Sequence, residues 1–208
     1  MAKSHGRRLL KQARLLAGGL VFLAFAAPAA PAAAATPLEV VKTSNEAVLS
    51  IYRQHPVVDA GVEQELFKVI DGVTDYQALA AGAVEPFCAK LTATQCTTFK
   101  ATFTRLLRIS SIKKLGRYRA ERFEYGSEEV SGASVLVHTV ALFKTDRIPL
   151  DYQLAGRGTS WVIVNYIIDG IDTVRNYRKQ FTQLLAKESF EQVIERLNRK
   201  IASLEAEK

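Results

Sequence analysis

Histidine is the first shortage. The chain has three in 208 residues, and beyond residue 35 only His55 and His138 remain, the first before a proline and the second inside an apolar stretch. Both positions suit structural roles better than proton transfer. A phosphate-cradling glycine loop, a zinc-ligand spacing and a nucleophile elbow are all missing, so the enzyme classes that depend on them are excluded and no metal or cofactor is expected. The adjacent carboxylates Glu128 and Glu129, and Asp169 with Asp172, fall where turns are expected and read as solvated or capping groups.

An apolar run long enough for a membrane span is also missing. Residues 15–27 are apolar but short, and Pro28 and Pro31 follow. The run lies behind Lys3, Arg7, Arg8, Lys11 and Arg14, with no acid among them, and ahead of the small-residue pattern Ala33-x-Ala35. These are the parts of an export signal, expected over residues 1–35 with cleavage after Ala35, leaving one exported domain over 36–208. No cysteine follows the cleavage region, which argues against a lipid anchor. Five of the 28 Lys and Arg residues belong to this leader, leaving 23 against 21 acids, so the net charge falls from +7 to +2. The basic excess is therefore mostly an export signal, and no nucleic-acid partner is expected.

Cysteine is scarce too. Cys88 and Cys96 are the only two, an even number for a compartment that permits disulfides. On one continuous helix they would lie about 12 Å apart and could not bond. Thr92 and Gln95, at capping-box spacing, start a new helix at Ala93 and let the chain reverse, so a bridge is expected, with two packed thiols as the alternative.

What is present is apolar periodicity of two kinds. From residue 37 to 115 it is helical, with breaks at His55-Pro56, at 71–75 and at 82–86. Residues 37–54 carry Leu38, Val41, Asn45, Val48, Leu49 and Tyr52, a stripe with one polar interruption. Helices over 62–73 and, briefly, 76–81 follow. After Gly116 the period becomes that of strands, over 119–126, 134–144, 149–155 and 160–168, at the spacing of an antiparallel meander. Two amphipathic helices, 172–187 and 189–205, close the chain. The segregation predicts an α+β fold: N-terminal helices, a four-stranded antiparallel sheet and C-terminal helices. Strand 160–168 is apolar on both faces and 135–143 nearly so. Such a sheet is covered on both sides, or covers one and encloses an apolar cavity with the other.

Several stretches share one likeness. Gln95, Phe99, Phe103, Leu106 and Leu107 form a Gln-x-x-x-Phe-x-x-x-Phe-x-x-Leu-Leu helix; Tyr152 follows Ile148 and Leu150 on a strand; Trp161 opens a strand that ends at Asp169-Gly170; and Asn176, Tyr177, Arg178, Lys179, Gln180 and Phe181 run on from it. Together they resemble the MlaC family, also called toluene-tolerance auxiliary proteins. The chain departs from it at Asn165-Tyr166, where an aspartate-valine pair is usual, and at Gly170, Ile171, Asp172 and Thr173, where Gly-Val-Ser-Leu is usual.

The resemblance implies a non-enzymatic periplasmic carrier of phospholipid in an ABC-type system that maintains outer-membrane lipid asymmetry. Its implied partners are an inner-membrane ABC transporter complex with an MCE-type subunit and an outer-membrane lipoprotein complex. On that reading the helices and sheet enclose a lipid cavity lined by Phe99, Phe103, Leu106, Val137, Leu150, Tyr152, Val164 and Tyr177, the strand members being chosen by alternation. Lys113, Lys114 and Arg117, with Arg119 and Arg122 nearby, are candidates for headgroup binding or docking, or a solvated face; Arg175, Arg178 and Lys179 are a second basic group. Two other readings stand beside it. One is a carrier of hopanoids or another apolar lipid, and the other is a small-ligand or enzymatic α+β domain in which His138, Asp151 and Tyr152 converge.

Overall fold

Each helix starts on a side chain that takes up its free amide groups. Thr36 and Glu39 form a reciprocal capping box ahead of α1 (Pro37–Gln54). Asp59 accepts from the Gly61 and Val62 amides at the start of α2 (Ala60–Val73), and Asp75 from Ala78 in α3 (Tyr76–Cys88). Thr92 and Gln95 make the expected box before α4 (Ala93–Arg117). Asp172 caps α5 (Thr173–Leu185), and Ser189 with Gln192 caps α6 (Phe190–Ala206). In the turn between α3 and α4, Cys88 and Cys96 are joined by a disulfide with their Cα atoms 5.1 Å apart.

The computed structural model describes residues 35–117 and 119–207, with the backbone alone at Arg117. The expected leader therefore lies outside the described residues except for Ala35. Residues Ala34–Lys208 cluster as one unit, and among the described residues no helix is long and apolar enough to cross a membrane.

The strands are β1 (Arg122–Ser131), β2 (Ser134–Phe143), β3 (Asp146–Arg157), β4 (Ser160–Ile168) and β5 (Ile171–Asp172), antiparallel and in chain order. The α+β expectation stands, with five strands rather than four. The fifth arises because Asp169 and Gly170 both have positive φ, 51° and 74°, and fold the chain back as a tight hairpin against Ile167 and Ile168.

Two further boundaries move. Strand β1 runs past Gly126 to Ser131 because a bulge between Tyr125 and Glu128 absorbs the glycine. A Cβ on Gly126 would lie 3.3 Å from the His138 carbonyl oxygen. Glu128 and Glu129 are consequently strand residues, not turn residues, and the Glu128 carboxylate accepts from the Leu38 amide in the first turn of α1, at 2.6 Å.

Helix α3 likewise continues through Gly82 and Pro86 to Cys88, where a stop was expected. Gly82 admits α5 closely, since a Cβ there would sit 3.1 Å from a Val174 methyl. Pro86 has no N–H to offer the Gly82 carbonyl four residues earlier. Arg178 of α5 supplies that donor from outside, at 2.5 Å.

The apolar interior falls into three clusters. Helices α3, α4, α5 and α6 bury Leu79, Val84, Phe99, Phe103, Phe181 and Leu197 in a bundle core. Helices α1 and α2 meet α4 around Tyr52, Leu66 and Ile112. The third lies between α1 and one face of the sheet.

Candidate functional site

The sheet face turned toward α1 contributes Val137, Leu150, Tyr152, Leu154, Ile163 and Tyr166, against Leu38 and Val41 of α1 and Val73 of α2. The strands are joined edge to edge by their backbone ladders, whereas α1 meets the sheet through side chains alone apart from the Leu38 amide on Glu128. The opposite sheet face is partly polar. There the Gln153 amide donates to Ser134 Oγ at 2.8 Å, and His138 Nδ1 lies 3.2 Å from Asp151 Oδ1 with Glu129 3.5 Å from Nε2.

Polar atoms run through the inner layer. The Tyr152 hydroxyl donates to Asn45 Oδ1 at 2.9 Å, and the Tyr166 hydroxyl lies 2.7 Å from Thr74 Oγ1. The two tyrosine rings meet edge to face with centroids 5.7 Å apart, linking these pairs across the layer. Burial holds the Tyr152 and Tyr166 phenols well above the usual range, so both stay neutral. Asn45 Nδ2, Tyr125 OH and Tyr76 OH are buried without a hydrogen-bond partner.

The residues expected to line one cavity divide between two clusters. Val137, Leu150 and Tyr152 lie in the sheet layer, while Phe99, Phe103, Leu106 and Tyr177 pack in the helical bundle. There the Phe99 and Phe103 rings stand 4.8 and 4.9 Å from that of Phe181. Tyr166 is the partly buried residue that touches both.

Val164 is placed differently. Beside Gln153 and Leu154, β4 carries one extra residue, so that Ile163 pairs with Leu154, Asn165 with Gln153, and Val164 falls between them. The bulge reverses the alternation, and Ile163 enters the inner cluster in place of Val164.

The basic residues do not form one exposed patch. Lys113 is 16 % exposed at its side chain and bonds Glu63 Oε1 and the Glu207 carbonyl, both at 2.6 Å, tying α4 to α2 and to the end of α6. Arg119 binds the carbonyls of Tyr52, His55 and Pro56 and lies over the Tyr52 ring, closing the C-terminal end of α1. Arg178 serves Gly82. Lys114, Arg175 and Lys179 are exposed, and the Arg117 side chain lies outside the described residues.

His138 and Asp151 do meet, but on the far face from the Tyr152 hydroxyl, so the three do not converge. Two surface clefts of about 300 and 400 Å³ lie at the helical layer. The first is bordered by Phe67, Arg105, Arg108 and Lys113, and the second by Phe87, Leu91, Leu185 and Phe190. Neither reaches the inner face of the sheet.

Sequence reasoning missed Leu154, Ile163, Tyr166 and Thr74 as members of this layer. Asn45 had a visible sign, as the one polar residue in the apolar stripe of α1. Asn165, one of the departures noted in the sequence, is structural: its Oδ1 accepts from the Tyr166 and Val174 amides, pinning the bulge to the first turn of α5.

An antiparallel meander whose apolar face is covered by helices, with a second helical core beside it, defines an α+β protein. The chain belongs to the MlaC family: the family model, MlaC protein, matches residues 42–199. A solved structure of similar fold is the phospholipid-binding protein from Ralstonia solanacearum in complex with a phospholipid. It is 21 % identical with a TM-score of 0.68, over 82 % of this chain and 99 % of that one. A search of curated proteins finds no match.

Proposed function

We propose that the protein is a periplasmic phospholipid-binding shuttle of an ABC-type lipid transport system, receiving lipid at one membrane and delivering it toward the other. Its partners on this reading are an inner-membrane transporter complex with an MCE-type subunit and an outer-membrane lipoprotein complex. Membership of the MlaC family and the phospholipid held by the similar Ralstonia protein support the ligand class.

The observation that carries the reading is the separate apolar layer between α1 and the sheet. Acyl chains enter when α1 parts from the strands, and they replace Leu38 and Val41 as cover for the inner face. Moving a chain of about fifteen methylenes out of water is favourable by on the order of 10 kcal/mol. Exposing two aliphatic side chains costs roughly 3 to 6 kcal/mol, less than leaving one acyl chain in water, so a lipid that has left a bilayer is held by the protein. The separate core of the helical bundle stays intact through it.

Uptake of a fluorescent phospholipid from vesicles tests the proposal. Leu154→Asp places a charge in the inner layer and should abolish uptake, whereas Val164→Asp, at the bulge, should retain most of it. Charge reversal at exposed Lys114 should leave uptake intact and slow transfer to partner proteins, a defect that shrinks with added salt. Wild-type uptake by folded Leu154→Asp would contradict the site.

A further inference from the structure

Asn45 sits among apolar residues of the sheet layer at only 6 % exposure. Its Oδ1 is used by the Tyr152 hydroxyl, but its Nδ2, which can only donate, has no partner. The Tyr125 phenol on β1 lies beside the Asn45 amide, and the two polar groups face one another outside ordinary hydrogen-bond geometry, with no other partner for either the phenol oxygen or Nδ2. Either orientation of the Asn45 amide leaves this group of three side chains with more N–H and O–H donors than acceptors in use. Buried donors of this kind are costly unless something accepts from them.

At the rim, the exposed Lys42 places its ammonium 5.4 Å from the centre of the Tyr125 ring, one turn of α1 before Asn45. Inward of the donors, Val41, Val137 and Leu154 offer only hydrocarbon. A ligand complementary to this sequence of groups carries an anion at the rim, carbonyl acceptors just inside and alkyl chains beyond.

We propose that Asn45 and Tyr125 form an ester-recognition site, donating to the carbonyl oxygens of a glycerol-linked diacyl lipid whose phosphate lies by Lys42. The site then selects ester-linked glycerophospholipids over ether-linked ones and over polycyclic hydrocarbons, which have no acceptor at that depth. This rests on the lipid-carrier reading above and adds to it the chemical feature by which the lipid is chosen. A free fatty acid offers a carboxylate instead of an ester, and the site is assigned to the ester because its donors, an amide N–H and a phenol O–H, are uncharged and suit a neutral carbonyl.

The full exported protein is incubated with vesicles holding equal amounts of a diacyl phosphatidylethanolamine and its dialkyl ether analogue of matched chain length. The bound lipids are then weighed by native mass spectrometry. The diacyl form should be bound in about tenfold excess, the worth of one or two neutral hydrogen bonds. Tyr125→Phe, which keeps the ring, should cut that excess several-fold, and Asn45→Leu should reduce it further. Equal binding of the two lipids, or an excess unchanged in both variants, would overturn the ester site while leaving lipid carriage in place. Displacement of the diacyl lipid by equimolar oleate would also overturn it. Binding of neither phospholipid would overturn the carrier reading itself.

Discussion

Tyr76 brings its hydroxyl into the bundle without a hydrogen-bond partner, and burial pushes its phenol up to about 12. In the unfolded chain the group ionises near 10, so between those values the unfolded state sheds a proton that the folded state keeps. The stability tied to the neutral phenol is full below about pH 10 and is lost as pH rises toward 12. Tyr76→Phe removes a hydroxyl that meets Ser111 and Thr74 only outside ordinary hydrogen-bond geometry, and should be close to neutral at pH 8. At pH 11 it should be more stable than wild type by about 1 kcal/mol. Urea unfolding at the two pH values measures this, and curves that shift in parallel would contradict it. At this scale the sequence was partly legible. Asn45 stood out as a polar break in an apolar stripe, whereas Ile163 could not be told from Val164, because a bulge set by pairing with β3 decides which of two neighbouring apolar residues turns inward.

Helix α3 shows how one element depends on another. Gly82 and Pro86 are local stop signals, and a reading confined to neighbours along the chain ends the helix there. It continues because α5 packs closely at Gly82 and Arg178 donates to the carbonyl that Pro86 cannot serve. Arg178→Ala should therefore cost about 1 kcal/mol in wild-type background. In a Pro86→Ala background, where the helix regains its own N–H, the cost should fall to less than half. Equal costs in both backgrounds, measured by urea unfolding as a double-mutant cycle, would show that the arginine acts elsewhere. Six helices and the main meander were legible because caps, periodicity and turn residues agree. The longer α3 was not, since it depends on α5, distant in sequence, and the extension of β1 and the two-residue β5 were hidden because a bulge absorbs Gly126 and the Asp169-Gly170 turn reads locally as a strand end. The same holds for Lys113, which reads as part of a basic patch along the chain and is an inter-helix tie in the fold.

On the scale of the whole molecule, the interior has two apolar regions of different kind. The bundle core is a close aromatic packing around Phe99, Phe103 and Phe181. The sheet layer is covered mainly by α1 and contains donors that its own neighbours leave unused. On the proposed function, that division gives stability to the bundle and ligand exchange to the layer, with Tyr166 and its bond to Thr74 at the boundary. The residues that carry the family resemblance are divided between the two, with Tyr177 and Phe181 in the bundle and Tyr152 and Trp161 in the sheet layer. The central claim, that the protein carries diacyl phospholipid, is tested most directly by native mass spectrometry of protein exported to the periplasm and purified without detergent, followed by lipid extraction. The account predicts a species heavier than the polypeptide by the mass of one or more diacyl glycerophospholipids, released on extraction. Protein found only at its bare polypeptide mass, or carrying only non-ester polycyclic lipid, would contradict it.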